Sequence, residues 1–335
     1  MLGGSMISVV ITARDAEETL GEAVGSCLQQ SHSDFELVLV DNGSSDSTRT
    51  IMDAIADPRV RVLSCGGSHV EAHRLGVAES SGEFIARMDA DDVAHPDRLA
   101  RQIEMLAGEA ALSACTCNVR VCARGRPIGK GFLDYVDWLN GLLTAEDITR
   151  ERFIESPVVH PAAMMRRQAL VSVGGYQEVG WAEDYDLWLR FLDAGHRIGK
   201  VPEVLFDWYD SDTRLTRTHQ RYSQEQFLKA KAHYLAKILA VRTGGVEICG
   251  AGPIGKRIGR LLIGEGIRVE AFYEVNPRRI GETIAGVPVR DQVELQRRGG
   301  AVVLGAVGLP GARDLIRGLV GELGYIEGED FFCVA

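Results

Sequence analysis

Phe84-Ile-Ala-Arg-Met-Asp-Ala-Asp-Asp92 is the stretch of this sequence that decides the fold. An apolar, strand-forming segment ends there in carboxylates with the spacing Asp89-x-Asp91. At the end of a strand in an α/β sheet, this spacing can hold a hard divalent cation against diphosphate oxygens. Mg²⁺ and Mn²⁺ favour such oxygen-rich sites and keep coordination positions open for phosphates. Two solvated acids at a strand end are common, so the assignment depends on the sequence around them.

The N-terminal part of the chain alternates strand-like and helix-like segments. The segments between the predicted strands carry apolar residues at helical spacing, and Asp15-x-x-Glu18 has the pattern of a helix cap. This alternation predicts a doubly wound α/β fold with parallel strands. An apolar, β-branched run predicts a strand over 7–12, and three further segments rich in apolar residues predict strands over 35–40, 60–63 and 84–88.

Polar clusters follow three of the predicted strands. They span residues 12–15, 41–44 and 89–92. Because the carboxyl ends of parallel strands lie at one edge of a sheet, these clusters are expected to converge. One polar cluster would indicate a turn, whereas three at one edge predict a nucleotide pocket.

A second acidic pair opens a predicted helix in the middle of the chain, within Trp181-Ala-Glu-Asp-Tyr-Asp-Leu-Trp-Leu-Arg190. Glu183 and Asp184 lie at its N-terminal end, where the amide dipoles favour carboxylates. One interpretation is helix capping, and the other is a catalytic acid directed into the pocket. The sequence around them leaves both open.

The C-terminal segment begins after Thr243-Gly-Gly245 and has the pattern of a Rossmann-like domain. A strand over 246–249 leads into Gly250-x-Gly252-x-x-Gly255, and Glu274 follows at the spacing of a ribose-binding acid. The loop could hold the diphosphate of NAD, or the fold could serve packing, homodimerisation or acceptor docking. NAD is the disfavoured reading, because no hydride-transfer machinery is evident nearby.

Composition restricts the class of protein. The chain has 335 residues, 45% of them apolar and 25% charged, with a net charge of −10 that argues against broad nucleic-acid binding. We expect no integral membrane segment and a cytoplasmic location, since no apolar run reaches about 18 residues and the N-terminus lacks signal-peptide features. Seven cysteines suit reduced, buried thiols, and Cys115-x-Cys117 lacks the usual zinc-ligand spacing.

These motifs together resemble family 2 inverting glycosyltransferases of the GT-A fold, over residues 6–220. The resemblance implies an N-terminal GT-A nucleotide-diphospho-sugar transferase domain with a mixed, mainly parallel sheet, followed by the Rossmann-like α/β domain. The matching segments are Val9–Thr12, Val38-Leu-Val-Asp-Asn-Gly-Ser-Ser-Asp-Ser-Thr48, Gly82–Asp92, His160-Pro161, Gly174-Gly-Tyr176 and Ala182–Arg190.

The resemblance also implies roles for individual residues. Asp41 would hydrogen-bond the uracil of a UDP-sugar donor, Asp91 would bind Mn²⁺ or Mg²⁺, and Asp184 would be the general base. Glu183 beside it would raise the pKa of Asp184 by like-charge repulsion. Arg14 either contacts the nucleotide or pairs with Asp15. The other implied residues are Thr12, Ala13, Arg14, Asp15, Asn42, Arg74, Asp89 and Ala90 for the nucleotide-sugar, Asp89 and His219 for the metal, and His160, Trp188, Arg214 and Arg217 for acceptor or phosphate.

A narrower group, the queuosine-tRNA galactosyltransferases, has a similar two-domain layout. The local likenesses are Trp138-Leu-Asn140, the 250–255 loop, 271–277 and 327–331. From the breadth of the family we expect a glycan or lipid-linked glycan as the acceptor. The narrower resemblance implies a tRNA nucleoside as the alternative. An NAD-linked oxidoreductase and a noncatalytic nucleotide-sugar-binding protein are the hypotheses of another class. The expected organisation is an expression-tag remnant over 1–5, a transferase domain over 6–221, a linker helix over 222–243 and the Rossmann-like domain over 244–335.

Overall fold

The computed structural model describes residues 6–212 and 214–335, and the chain separates into two compact units. The tag remnant predicted over 1–5 lies outside the described residues. The first unit contains the residues up to Ile148, Pro157–Val179 and Glu183–Thr218, and the second contains Thr149–Ser156, Gly180–Ala182 and His219–Ala335.

Strands and helices alternate through the N-terminal part of the chain, as the hydrophobic pattern predicts. The elements up to residue 218 are β1 Ile7–Ala13, α1 Leu20–Leu28, β2 Phe35–Asp41, α2 Thr48–Asp53, β3 Val60–Ser64, α3 His69–Glu79, β4 Phe84–Asp89, β5 Val93–Ala94, α4 Arg98–Gly108, β6 Leu112–Ala123, α5 Lys130–Asn140, α6 Ala145–Glu151, β7 Met164–Arg166, α7 Arg167–Ser172, α8 Glu183–Asp193, β8 Arg197–Asp210 and α9 Leu215–Thr218.

The first unit is built on one mixed, mainly parallel sheet of eight strands. Its strand order is β3-β2-β1-β4-β7-β6-β8-β5, and β3, β2, β1 and β4 run parallel. Every residue of β1 is buried. Ile7, Val9 and Ile11 belong to one hydrophobic core, and Val10 belongs to a second core with Val38. The sheet is therefore covered on both faces, which leaves its edge of strand ends for a ligand.

The second unit has a six-stranded sheet of the Rossmann-like type. Its order is β11-β12-β10-β9-β13-β14, with β12, β10, β9, β13 and β14 parallel. The helix predicted as a linker over 222–243 is α10 and belongs to this unit. The elements are α10 Gln224–Leu239, β9 Val246–Cys249, α11 Pro253–Gly264, β10 Val269–Glu274, β11 Thr283–Ile284, β12 Val287–Asp291, β13 Val302–Gly305, α12 Ala312–Glu322 and β14 Phe331–Cys333.

Two local expectations were wrong or incomplete. Helix α1 begins at Leu20 after Thr19, and Asp15 does not cap it; the Asp15 carboxylate instead accepts hydrogen bonds from Ser45. The long strand β8 was not predicted, because Pro202 and exposed Glu203 interrupt its apolar pattern. Within the described residues, no helix combines the length and apolar character that crossing a bilayer requires.

The contact of helix α3 with the sheet can be tested at Gly76. A Cβ at this position would lie 2.5 Å from Val10 Cγ1 and 3.2 Å from Val40 Cγ2. Because both valines are fully buried and stiff, we expect Gly76→Ala to lower the free energy of unfolding by about 1–3 kcal/mol, measured by urea denaturation.

The matched control is Gly25→Ala in helix α1, where an added Cβ has open space around it. Alanine is the better helix former, so this substitution should raise the free energy of unfolding by up to about 1 kcal/mol. Equal effects of the two substitutions would show that close packing of α3 on the sheet does not limit residue 76.

Candidate functional site

The register of the parallel strands brings three predicted polar clusters to one edge of the sheet. Thr12 on β1 pairs with Asp89 on β4, and the next residue, Ala13, pairs with Asp41 on β2. Thr12 and Asp41 are almost fully buried, and Asp89 is partly exposed. The carboxylates at the ends of these strands therefore lie at one carboxyl edge of the sheet, where such folds bind ligands.

The loops after β1 and β2 are fastened to each other by side-chain hydrogen bonds. Asp15 Oδ1, in the loop after β1, accepts from Ser45 N, in the loop after β2, at 2.7 Å. Within the second loop, Asp41 Oδ1 accepts from Ser44 N at 3.1 Å. Asp15 has a φ of 50°, a left-handed conformation that aspartate tolerates better than most residues. Its hydrogen bonds lower its pKa, chiefly through Ser45. Asp15 thus shapes the cleft wall.

Two further residues of these loops were predicted to contact a nucleotide. Arg14 is exposed, with Nε 3.8 Å from Asp15 Oδ2, so the alternative in which it pairs with Asp15 is present in this structure. Asn42 is nearly buried, and its Oδ1 has no hydrogen-bond partner among the described residues. A buried amide oxygen without a partner is costly, so it is an acceptor available to a ligand.

Three carboxylates gather after β4. Asp89, Asp91 and Asp92 each offer one oxygen, and these oxygens lie within 4.8 Å of one another. Burial and the charge of Asp89 raise the pKa of Asp91, while burial and the charge of Asp91 raise that of Asp92 well above its usual range. Asp92 Oδ2 is buried and has no hydrogen-bond partner among the described residues. Hard oxygen donors of this kind fit Mg²⁺ or Mn²⁺.

A fully buried arginine holds the first of these acids. Arg87 Nη2 donates to Asp89 Oδ1 at 2.8 Å, Nη1 donates to the Val10 carbonyl at 2.7 Å, and Nε donates to His160 Nε2 at 3.3 Å. Tyr176 OH lies 2.9 Å from the same His160 nitrogen. Because buried charges need partners, Arg87 fixes the position of Asp89 relative to strand β1.

Histidines on helix α3 lie between the strand edge and helix α8. His73 Nδ1 lies 3.3 Å from Thr12 Oγ1, and His73 Nε2 lies 2.8 Å from His69 Nε2. His69 Nε2 is 3.5 Å from Glu183 Oε1. Burial, with the charge of Arg87, lowers the pKa of His73 well below its usual range. A neutral ring agrees with the contact between the two Nε2 atoms, since one must donate and the other accept.

Asp184 is the titratable group of this edge that ionises near neutral pH. It lies in the first turn of α8, and Tyr185 N donates to its Oδ1 at 2.7 Å. Burial raises the pKa of Asp184 to about 7, and the negative charges of Glu183 and Asp89 add to the rise. Asp184 therefore shares an electrostatic environment with the acid cluster and can accept a proton at physiological pH.

The remaining predicted residues differ in what they contact. Arg214 stacks on Trp208, with Cζ 4.6 Å from the ring centroid, and its charge opposes the raised pKa of Asp91. Arg217 pairs with buried Asp210 through contacts of 2.6–2.9 Å, so a diphosphate would have to share the Arg217 guanidinium with that carboxylate.

Three other expectations concern Trp188, Arg74 and His219. Trp188 is fully buried against His160, with ring centroids 5.6 Å apart, so it supports that histidine and has no surface for an acceptor. Arg74 is exposed, and its Nε donates to the Tyr176 carbonyl at 2.7 Å. His219 belongs to the second unit, where its Nδ1 accepts from Arg221 N.

Sequence reasoning missed Arg87, Asp92 and the His69–His73 pair. The histidines could have been found from their separation of four residues, which places both on one helix face. Arg87 could have been found as a charge inside an otherwise apolar strand. Asp92 belongs to the predicted polar cluster 89–92, but its burial could not be predicted, because it accepts a long-range hydrogen bond from Tyr209 N.

Comparisons with known proteins agree with this architecture. Residues 8–174 match the family model described as glycosyl transferase family 2. The amylovoran biosynthesis glycosyltransferase AmsE of Erwinia amylovora is 25% identical over 261 residues, an alignment that covers 70% of this chain and 93% of AmsE.

Two solved structures show the same fold at low identity. S. aureus TarS in complex with UDP-GlcNAc aligns with a TM-score of 0.55 and 17% identity, covering 70% of this chain and 66% of that one. The mannosyltransferase PcManGT from Pyrobaculum calidifontis, in complex with GDP-Man and Mn²⁺, aligns with a TM-score of 0.50 and 18% identity, covering 70% and 63%. The predicted fold class is confirmed.

The contribution of buried Arg87 to the free energy of unfolding can be measured. Arg87→Met would leave Asp89 without its cationic partner and the Val10 carbonyl without a donor. We expect the free energy of unfolding to fall by about 3–5 kcal/mol in urea denaturation, the usual cost of breaking a buried ion pair. Arg61→Met is the control, because Arg61 forms its ion pairs with Glu36 and Glu79 at the surface and should cost less than about 1 kcal/mol. Similar losses for both variants would contradict the anchoring role of Arg87.

Proposed function

The chain belongs to glycosyl transferase family 2 and is a glycosyltransferase, and from that premise we propose a metal-dependent, inverting transfer of a hexose from a UDP-sugar to an acceptor hydroxyl. The observation that carries this proposal is the proximity of two kinds of carboxylate. The cluster of Asp89, Asp91 and Asp92 suits a cation and a diphosphate, and Asp184 is a base whose pKa that cluster helps to raise.

Recognition of the donor nucleotide is assigned to the end of β2. Asp41 uses Oδ1 to accept from Ser44 N, and its other oxygen has no hydrogen bond to the described residues. A carboxylate oxygen in that position can accept the N3–H of uracil. TarS binds UDP-GlcNAc and UDP, which supports a uridine donor, whereas PcManGT binds GDP-Man in the same fold. A hexose or N-acetylhexosamine donor, with galactose, glucose and N-acetylglucosamine as the choices, follows from the resemblance.

Asp91, Asp89 and Asp92 would hold Mn²⁺ or Mg²⁺, and a bound cation would neutralise charge on the departing diphosphate. Two observations on this chain support the assignment. The charge of Arg214 opposes the raised pKa of Asp91 and Asp92, and that of Arg124 opposes the raised pKa of Asp91, yet both pKa values stay raised, so the protein neutralises the carboxylate cluster only in part. Asp92 also retains a buried oxygen without a hydrogen-bond partner among the described residues. His219 is not required for this set.

Asp184 would act as the general base in a single displacement. Its carboxylate takes the proton of the acceptor hydroxyl as the hydroxyl oxygen forms a bond to the anomeric carbon. The bond from that carbon to the diphosphate oxygen breaks, and its electron pair leaves with UDP. One base without an enzyme nucleophile inverts the anomeric configuration, by analogy with inverting glycosidases.

The acceptor we propose is a glycan or a lipid-linked glycan. AmsE is named for amylovoran biosynthesis, and another relative, from Pasteurella multocida, is named chondroitin synthase. A tRNA nucleoside stays the alternative, carried by the resemblance alone, and the net charge of −10 gives no general support to it. Both acceptor classes therefore belong in the same assay.

A donor screen with two carboxylate variants tests this function. UDP release from UDP-galactose, UDP-glucose and UDP-N-acetylglucosamine is measured with Mn²⁺, glycan acceptors and queuosine-containing tRNA. Asp184→Asn should lower kcat by at least about 1000-fold and leave the Kd for UDP within about threefold, because only proton removal is lost. Asp91→Asn should weaken Mn²⁺-dependent UDP binding as well as turnover.

Asp193→Asn is the matched control, since Asp193 is exposed at the other end of helix α8. It should keep wild-type turnover. Near-normal turnover by Asp184→Asn would exclude Asp184 as the base. Full activity of the wild-type enzyme in EDTA, without Mn²⁺ or Mg²⁺, would exclude a metal-binding role of the acid cluster.

The pH dependence of the reaction provides a separate test. Because Asp184 has a pKa of about 7 and works as a base when deprotonated, kcat/KM should fall about tenfold per pH unit below that pKa. Glu183→Gln removes a negative charge that raises the Asp184 pKa, so the acidic limb of the profile should move to lower pH. A limb that stays in place in Glu183→Gln would show that another group controls it.

A further inference from the structure

The second unit contains a cavity of about 510 Å³ that the transferase reaction does not use. It lies beyond the carboxyl ends of β9, β10 and β13 and is lined by Cys249, Glu274 and Ala306 among others. Strand β9 is flanked by β10 on one side and β13 on the other, so the chain reverses its direction of winding there. Open α/β sheets bind their ligands at this kind of switch point, and the volume suits a nucleotide.

The glycines that follow β9 are not equivalent. Gly250 has a φ of +112°, and a Cβ there would lie 2.5 Å from Val307 Cγ2, while a Cβ on Gly255 would overlap the Gly250 carbonyl oxygen. The fold itself therefore requires glycine at both positions. A Cβ on Gly252 would meet only Arg279 Nη1, at an ordinary 3.7 Å. Packing does not explain Gly252, whereas close approach of a ligand to the backbone would.

Positive potential converges on Gly252. It is the N-cap of the twelve-residue helix α11, whose first turn presents backbone N–H groups without intrahelical partners. The guanidinium of Arg279 lies beside it and donates to Glu274 Oε2 at 3.1 Å. Arg279 is partly exposed, with 37% of its side chain accessible, so it retains donors for an anion in the cavity.

Glu274 is already satisfied by the protein. Its Oε1 accepts from Val275 N and Asn276 N, and its Oε2 accepts from Ala251 N and Arg279. These bonds hold the pKa of Glu274 below its usual value despite burial. The carboxylate thus fixes the glycine loop and orients Arg279, and its charge is compensated before any ligand arrives.

The rest of the cavity wall is mainly apolar, with Gln224 and Gln292 as neutral polar groups. Its apolar lining includes Ile254, Val275, Leu309 and Ile316. Val275 and Leu309 are mostly exposed and offer apolar surface against which a flat ring can pack. Burial raises the pKa of Cys249 to about 12 and that of Tyr273 to about 12. Neither exchanges protons near neutral pH, so the cavity suits binding rather than acid–base chemistry.

We propose that this cavity is a second nucleotide site, for a ligand that carries a nucleoside diphosphate. Its diphosphate lies on residues 250–254 beside Arg279, and its base lies against Val275 and Leu309. A dinucleotide and a nucleoside diphosphate share this chemistry. The site is separate from the proposed donor site, because its lining residues all belong to the second unit.

Calorimetric titration of the full chain with ADP, UDP and NAD⁺ in EDTA tests the proposal. At least one of these should bind the wild type, and Gly252→Val should weaken that binding by at least about tenfold by occupying the phosphate position. Gly264→Val, in open space at the end of the same helix, should bind as wild type does. Asp41→Ala, in the proposed donor site, should also leave this binding unchanged.

Arg279→Gln provides a second measurement that does not alter the glycine loop. It should weaken binding by at least about threefold while keeping the thermal unfolding midpoint of the Gly264→Val control. The proposal is overturned if none of the three nucleotides binds at millimolar concentration. It is also overturned if Gly252→Val and Arg279→Gln both bind as tightly as wild type, or if Asp41→Ala alone abolishes binding. The transferase activity of the first unit is tested separately with Asp91→Asn. Failure of one proposal would therefore not count against the other.

Discussion

The first unit depends on the gathering of carboxylates at one edge of its sheet. Asp89, Asp91 and Asp92 lie together, and the charge of Asp89 also reaches Asp184. Burial is the main cause of the raised pKa values of Asp91, Asp92 and Asp184, and repulsion between these like charges adds to it. Such an arrangement persists only if cations and close packing hold the acids in place.

Arg87 and Arg214 supply that compensation in different ways. Arg87 is fully buried and uses three donors on Val10, Asp89 and His160, which makes it part of the scaffold. Arg214 rests on Trp208 and acts on the acids through its charge. Burial and the charges of Glu183 and Asp89 still raise the pKa of Asp184 to about 7. That residual destabilisation of the charged form is what a general base at neutral pH requires.

The two units use the same edge of an α/β sheet for opposite electrostatic purposes. In the first unit, acids at the strand ends suit a cation. In the second, the N-terminus of α11 and Arg279 present positive potential. The Glu274 carboxylate there accepts hydrogen bonds from three backbone N–H groups and from Arg279. Under the two proposals, the sign of the potential at the strand edge would distinguish a cation-assisted diphosphate site from one that contacts phosphates directly.

Much of this architecture could be predicted from local pattern. The buried strands of the first unit are recognisable as mainly apolar segments between turn signals, and Asp41, Asp89 and Asp91 lie at their ends or just after them. Strand β9 was predicted as the segment that leads into the Gly-x-Gly-x-x-Gly pattern of the glycine loop. The capping role expected of Asp15 failed because Ser45, thirty residues away, competes for its carboxylate. The spacing of residues around Asp15 does not indicate Ser45 as its partner.

The sequence by itself determined the order of strands and helices, the polar strand ends and the acid pair that begins α8, since each depends on neighbours in the chain. Only the tertiary structure decided which of those groups act on one another. The register of β1 with β2 and β4 places Asp41 and Asp89 at successive positions near the end of β1, and Arg87 fixes Asp89. Burial of Asp92 beneath Tyr209 and the contact of His69 with Glu183 join distant segments. Desolvation and Coulomb interactions depend on distance in space, so pKa values and ligand sets emerge only after folding.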